Sequence, residues 1–480
     1  MLRRAAPSHL AFGSLQRRRI GYLADRVSSG EPAELEVWAW GRGTHGQVGH
    51  GSEDTEKLPV LISTLKLAAF TGMAPIQGRM PVDMEVAAQA EEVRLDVLER
   101  CGVFKRAAAG GGGGGGGVDP SLFVEKAKPR LGNVGVTCGL FHSVLFAEQD
   151  VFVWGKGDGG RLGIDTEFNQ YKPYVNPRIK RVQMASAGGL HNIALTEVGN
   201  VYTWGYGAFG ALGHGSYERE LLPRLLEGPW KDRIVHVSAG GSHSAAVTES
   251  GELYTWGRDE GEGRLGHGNP DIMDEGALSR PTKVQALDVP IASVYCGGFF
   301  TMALTKSGQL WSWGGNANHE LGHGTRANNW KPKVVAALED VTLVQVACGG
   351  FHAAALTQDG KVITWGYGGN GQLGHGTLEN GKEPAIVEAM ADKTCTYIAC
   401  GPAWTAAITE NGDLYTWGKN RDYQLGIPGL KDEQLDPVLV QFPQALHEKT
   451  PVEVLGVSCG ANHGVCIVSR PKPAQVTQSL

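Results

Sequence analysis

The sequence has no run of eighteen or more consecutive apolar residues, which excludes an ordinary membrane-spanning helix. None of its eight cysteines forms a Cys-x-x-Cys pair, so the usual spacing of zinc sites and thioredoxin-like redox sites is missing. There is no phosphate-binding loop ending in Gly-Lys-Ser or Gly-Lys-Thr, and no Ser-His-Asp set or clustered metal spacing. No catalytic, cofactor-binding or metal-ligating residue is therefore assigned. Charged residues make up 20% and hydrophobic residues 41%, the balance of a folded globular chain. What is abundant is glycine, 70 of 480 residues, with 23 prolines besides, as many tight turns require.

The glycines are periodic. A small residue followed by Gly recurs at Cys138-Gly139, Ala187-Gly188, Ala239-Gly240, Cys296-Gly297, Cys348-Gly349, Cys400-Gly401 and Cys459-Gly460. After the first six of these, a Trp-Gly pair follows 15 or 16 residues later, at Trp154, Trp204, Trp256, Trp313, Trp365 and Trp417. Spacing this constant defines a structural unit of about fifty residues. The copy from Gly349 to Gly376 is the clearest. HAAAL alternates small and large apolar residues, Gln358-Asp359-Gly360-Lys361 is a turn, and KVITWG alternates again. A glycine-rich loop ending in Leu-Gly-His-Gly comes next, then a Pro-led apolar run such as RPTKVQAL (Arg280 to Leu287), then IASVYCG (Ile291 to Gly297). Four short strands per repeat make a propeller blade, an arrangement that hides most strand edges by radial repetition.

Residues 35 to 62 hold a Trp-Gly half-repeat with no opening pair before it, and Val452 to Val468 hold an opening half with no Trp-Gly after it. Pairing the two orphans closes an all-β, seven-bladed β-propeller with four-stranded blades. Between Trp40 and Gly139 lie 99 positions, where the same step elsewhere is 34 to 43. The excess is an insertion over 63–130. It carries a short amphipathic helix over 84–101, with Asp83 as N-cap, and a flexible linker of eight glycines, Gly110 to Gly117. It serves as either a tolerated surface loop or an arm that docks a partner.

Residues 1–30 contain six arginines, no lysine and one acid, Asp25, with serines among Leu10, Phe12, Leu15, Ile20 and Leu23. That is the composition of a mitochondrial presequence; Arg17 to Arg19 also fit a nuclear or nucleic-acid-binding tail. Its removal moves the formal charge from −6 to −11, which argues against a general binder of phosphate backbones. The propeller then occupies 31–470 and a tail 471–480.

Residues repeated around a ring are usually architecture. The six tryptophans of the complete repeats are placed between blades as space-filling rings. His142, His191, His243, His352 and His463 share the opening-motif position, and His50, His214, His267, His323 and His375 the loop position; both sets are assigned to backbone-supporting hydrogen bonds. Cys138, Cys296, Cys348, Cys400 and Cys459 alternate with Ala187 and Ala239 at one position and read as small reduced core residues.

These GGxHxxAL, Tyr/Trp-x-Trp-Gly and Leu-Gly-His-Gly units, over about 35–468, resemble the regulator of chromosome condensation repeat family. The resemblance implies a seven-bladed propeller and a choice among divergent functions: nucleotide exchange on a small GTPase, ultraviolet sensing, ubiquitin-ligase accessory domains and organellar scaffolds. The founding exchange factor carries an Asp immediately before the His of one opening motif. Here that position holds Phe141, Leu190, Ser242, Phe299, Phe351, Ala403 and Asn462. The ultraviolet-receptor branch carries a Gly-Trp-Arg-His-Thr series, of which only Trp404 has a counterpart, with no Arg after it.

Similarity to plant-type mitochondrial members implies a monomeric, non-enzymatic scaffold in the mitochondrial matrix. Such a scaffold binds proteins, among them organellar RNA-processing factors, and supports transcript splicing and complex I biogenesis. The alternative is a guanine nucleotide exchange factor for a small GTPase, with a nuclear location as the alternative compartment. Direct nucleic-acid contact is not expected, because stacked aromatics with flanking basic residues do not show in the sequence. Function is expected where the repeats differ: in the insertion, in the loop Gly268 to Arg280, and in the deviant copy Gly401 to Trp404.

Overall fold

A computed structural model describes residues 33–65, 67, 134–147, 149–259, 261–268, 276–443 and 452–471. The presequence, the expected helix over 84–101, the glycine run, most of the Gly268 to Arg280 loop and the tail beyond 471 lie outside the described residues. Seven four-stranded antiparallel sheets form the blades of one propeller. Blade 1 is composite, ordered from the centre outward as Glu453–Cys459, His463–Pro471, Ala33–Gly41 and Glu56–Leu61. The two middle strands of blade 1 pair without a break from Ala33↔Pro471 to Gly41↔His463, so the two orphan halves join as expected. Blade 2 follows the common plan: Val134–Cys138, His142–Ala147, Asp150–Gly155 and Gln170–Val175. Blades 3 to 7 span 182–225, 234–283, 291–334, 343–386 and 395–439.

Burial explains the residue pattern. In blades 2 to 7 the second strand, for example His352–Thr357, is buried on both faces, which is why it is built from small and apolar residues. In blades 3 to 7 a Thr hydroxyl at its end accepts the N–H four residues on and fixes the turn, as Thr357 does from Lys361 at 2.9 Å. The outermost strand of every blade contains one proline: Pro59, Pro173, Pro223, Pro281, Pro332, Pro384 or Pro437. Proline lacks the N–H that an incoming strand would pair with, so it blunts the outer edge of each sheet. In blade 4 this strand runs Ala277–Lys283, three residues ahead of the Pro-led run expected to form it, because pairing begins at Arg258↔Ala277.

Seven hydrophobic clusters hold the ring, each shared by two neighbouring blades. At the centre of each lies a fully buried tryptophan: Trp40, Trp154, Trp204, Trp256, Trp313, Trp365 or Trp417. The preceding blade's Leu-Gly or Val-Gly turn closes over it. There a glycine at positive φ, such as Gly374 at +75°, comes so close that a Cβ would lie 2.8 Å from the Trp417 indole nitrogen.

Candidate functional site

The first candidates are the repeated tryptophans and histidines, and their partners define what they do. Each Trp-Gly indole N–H donates across a seam to a backbone carbonyl of the preceding blade, that of Gln424, Gln47, Arg161, Ala211, Arg264, Glu320 or Gln372, at 2.7–3.1 Å. Most of these carbonyls also accept a second side chain. Ser143, Asn192, Ser244, Thr301 and Thr405 donate to them, and each receives the Nε2–H of a histidine one blade back: His463, His142, His191, His243 and His352, at 2.8–2.9 Å.

The chain of bonds crosses five of the seven seams, and the two exceptions match on both sides. Phe300 stands where a His would donate and Ala353 where its acceptor would be. Trp404 takes the His place in blade 7 and donates instead to Gly460 O at 2.7 Å, and Gly464 carries no acceptor. The loop histidines are engaged likewise: His214, His267, His323 and His375 bond Thr203, Thr255, Ser312 and Thr364 at 2.9–3.1 Å.

Each relay histidine is neutral, protonated on Nε2. Burial pushes His142, His352 and His463 down to about 3 and His191 to about 4, and holds His243 well below its ordinary range. Such groups are poor acids or bases near neutrality. They do tie stability to pH. The unfolded imidazoles take up protons near 6.5 while the folded ones do not, so below that value the unfolded state binds more protons and stability falls with pH. The slope is about 1.4 kcal/mol per pH unit for each such histidine. Urea unfolding at pH 7.5 and pH 5 is expected to give a much smaller free energy at the lower value. His352→Phe, which copies the Phe300 solution, is expected to flatten that difference by one histidine's share.

Among the described residues no group of three or more His, Cys, Asp or Glu is arranged to hold a metal. The repeat-position cysteines are free thiols, and burial pushes Cys138, Cys296 and Cys400 up to about 12. Protonated thiols of this kind are weak nucleophiles.

What the fold brings together, and repeat-by-repeat reading missed, is the mouth of the central channel. The seven turns between first and second strands, three residues each from Gly139-Leu140-Phe141 to Gly460-Ala461-Asn462, contain no charged residue. Phe299 and Phe351 stack there at 5.3 Å between ring centroids, and Phe351 is 40% exposed. A second tier lies against this rim. The residue after each Trp-Gly donates its backbone N–H to the carbonyl just before the His, as Lys156 does to Phe141, Tyr206 to Leu190, Arg258 to Ser242 and Tyr367 to Phe351, at 2.8–3.0 Å. The seven second-tier positions are Arg42, Lys156, Tyr206, Arg258, Gly315, Tyr367 and Lys419: four cations, two tyrosines and no acid. Beneath Phe299 lies the buried Arg264, its guanidinium 4.8 Å from the ring centroid. Two of the second-tier cations are paired within the chain, Lys156 with Asp158 at 2.7 Å and Arg42 with Asp422 at 3.5 Å. An uncharged, partly aromatic rim of this kind can seat an apolar side chain of a partner. The signal was present at two repeat positions, the residue before the His and the one after Trp-Gly.

Seven blades locked by Trp-Gly seams and closed by a composite blade define an RCC1-type propeller, and the chain belongs to the RCC1-like domain family. The family model for that domain matches residues 109–466, and the Regulator of chromosome condensation (RCC1) repeat matches residues 36–74. Among curated proteins the chain is 44% identical over 452 residues to "RCC1 domain-containing protein RUG3, mitochondrial" of Arabidopsis thaliana, covering 94% of this chain and 92% of that protein. It is 34% identical to the Ultraviolet-B receptor UVR8 of the same plant, over 70% of this chain and 74% of that one. Of solved structures, human WBSCR16 superposes with a TM-score of 0.66 at 22% identity, covering 90% of this chain and 98% of that one. Yeast RCC1 (Prp20) bound to Kap60 superposes at 0.68 with 20% identity, covering 99% and 95%. At such identities the structures show a shared fold.

Proposed function

We infer that the chain is a non-enzymatic mitochondrial scaffold whose channel mouth docks proteins, in support of organellar gene expression such as transcript splicing and complex I biogenesis. The observation that carries docking is the mouth itself, an uncharged rim with the exposed Phe351 inside a tier of cations and tyrosines. A mitochondrial location is supported by the arginine-rich, acid-poor residues 1–30 and by the 44% identity to a relative named as mitochondrial. Residues 1–50 fused to a fluorescent reporter are expected to enter mitochondria; a reporter that stays in the cytosol or enters the nucleus defeats the location.

Affinity purification of the full chain from isolated mitochondria, followed by mass spectrometry, is expected to recover RNA-processing proteins, and Phe351→Ser is expected to lose them while melting like the parent. Guanine nucleotide exchange is the competing function. A yeast propeller of this fold was solved together with its binding properties to Gsp1p and histones. Accelerated release of labelled GDP from a GTPase recovered in the same purification would replace the scaffold by an exchange factor.

A further inference from the structure

We propose that the mouth binds the C-terminus of a partner protein at the seam of blades 6 and 7, with the terminal apolar side chain against Phe351 and Ala403 and the terminal carboxylate on the Lys419 ammonium. This rests on the docking function above and names the chemistry of the partner.

The rim is interrupted at this seam. The position before the second strand holds Phe141, Leu190, Phe299 and Phe351 in blades 2, 3, 5 and 6, but only Ala403 in blade 7. Blades 6 and 7 adjoin directly there, the Gly350 N–H donating to Pro402 O at 3.2 Å. Phe299 covers one face of the Phe351 ring, and on the blade 7 side the rim position offers a single methyl group. The exposed part of Phe351, 40% of its surface, therefore borders a place that a large apolar side chain fills in other blades. Pro402 and Ala403 beside it are themselves only half-buried, so an incoming apolar side chain has surface to cover.

Charge selects the occupant. Of the four second-tier cations, Lys156 is held by Asp158, Arg42 by Asp422, and Arg258 lies 4.2 Å from the centroid of the Phe209 ring. Lys419 is the second-tier residue of blade 7, its backbone N–H donating to Ala403 O at 3.0 Å. Among the described residues its ammonium has no ion pair or hydrogen bond. Its own loop, 419–432, does not supply one: Asp422 is taken by Arg42 and Asp432 by Arg421, which also pairs with Glu433 at 2.9 Å. The seam thus presents one apolar seat and one half-buried positive charge, in a rim whose turns are otherwise uncharged.

The last residue of a chain carries its side chain and its carboxylate on the same carbon, which matches one seat beside one charge. A stretch of several acids finds no second unpaired lysine on the tier and meets Asp422, Asp432 and Glu433 around Lys419. A basic segment is repelled by Lys419 itself. Single-stranded RNA draws its affinity from several cations together, and here the tier leaves one lysine free.

The test uses the full chain and ten-residue peptides labelled with fluorescein at their N-termini, built of Ser, Gly and Asn apart from the residues named. The first ends in Leu with a free carboxylate, the second is the same peptide with a C-terminal amide, and the third is amidated and carries Leu-Asp at its centre. A twelve-nucleotide single-stranded RNA is the fourth probe. In fluorescence anisotropy the free-acid peptide is expected to bind, and its amide about tenfold more weakly or less still. Lys419→Gln is expected to weaken the free-acid peptide by the same factor and leave the amide unchanged, so that the two changes do not add. Ala403→Phe, which installs the ring found at this position in three other blades, is expected to weaken the free-acid peptide while melting like the parent. Equal affinity for acid and amide, equal affinity in Lys419→Gln, or an internal Leu-Asp or an RNA that binds as tightly as the free terminus would each overturn the assignment. Capture of the same mitochondrial partners by Lys419→Gln would remove this inference and leave the scaffold standing; a parent that captures none removes the scaffold first.

Discussion

Replacing Trp365 by alanine is expected to destabilise the propeller by about 3–5 kcal/mol, the range for emptying a buried large aromatic site. Trp365 is fully buried at the seam between blades 5 and 6, packed with Phe300, Leu304, Leu321 and Ala353. Side chains of both flanking blades close around it, so little of the cavity can collapse. The indole also carries a hydrogen bond that nothing duplicates. Its N–H donates to Glu320 O at 2.8 Å, and because Ala353 stands where other blades have Ser, Thr or Asn, no neighbouring side chain takes over that carbonyl. At the next seam Trp417 shares its acceptor, Gln372 O, with the Thr405 hydroxyl, which would remain bonded at 2.8 Å. Trp417→Ala is therefore expected to cost less than Trp365→Ala. Trp365→Phe should still cost about 1–3 kcal/mol from the orphaned carbonyl alone. Denaturant titration of the three variants measures the order; a Trp365→Ala protein that unfolds like the parent would remove the ring from its assigned role.

The second large effect is expected from ending the chain at residue 452. This removes Glu453–Cys459 and His463–Pro471, the two inner strands of blade 1. The remaining half, Ala33–Gly41 and Glu56–Leu61, then loses its partner strand and its attachment to the ring. Clusters on both sides open at once, because Val457, Cys466 and Val468 pack with Trp40 and Trp404, while Val465 and Ile467 pack with Val37 and Trp154. Each large apolar side chain exposed costs about 1.5–3 kcal/mol, and half a dozen of them, about 9–18 kcal/mol, are as large as the roughly 5–15 kcal/mol by which domains are stable. The shortened chain is expected to lose its cooperative melting transition and to aggregate. A sharp transition near the parent's, measured by circular dichroism, would show that six blades suffice.

How much of this was legible before the fold was known varies with the range of the interaction. Blade number and closure were legible because each depends on a pattern that repeats: the two orphan halves could be paired, and the register Trp40↔Gly464 is the result. The mouth was harder. Phe299 and Phe351 are neighbours in space but fifty-two positions apart, and within either repeat alone each is a single apolar residue before the second strand. The histidine relay lay between. Its donors were visible as a repeated His, but each acceptor is the residue after the next blade's motif, so His142 and Asn192 could be matched only once neighbouring blades were known to touch.

Composite blade 1 also imposes an order in time. The strand that begins the described chain has its partner in the strand that ends it, with Val37 paired to Ile467 across 430 positions. Strand pairing over such a distance is slow, because a very long loop must close before any contact rewards it. A chain being made, or threaded through a membrane from its N-terminus, can assemble blades 2 to 7 one after another while Ala33–Gly41, paired only with Glu56–Leu61, waits with its other edge open. Closure is thus the last event and depends on the whole length having arrived. Until then the waiting strand, with its apolar Val37, Trp38 and Trp40, is what a chaperone would hold, and an incomplete chain would be marked for removal by the edge it cannot cover.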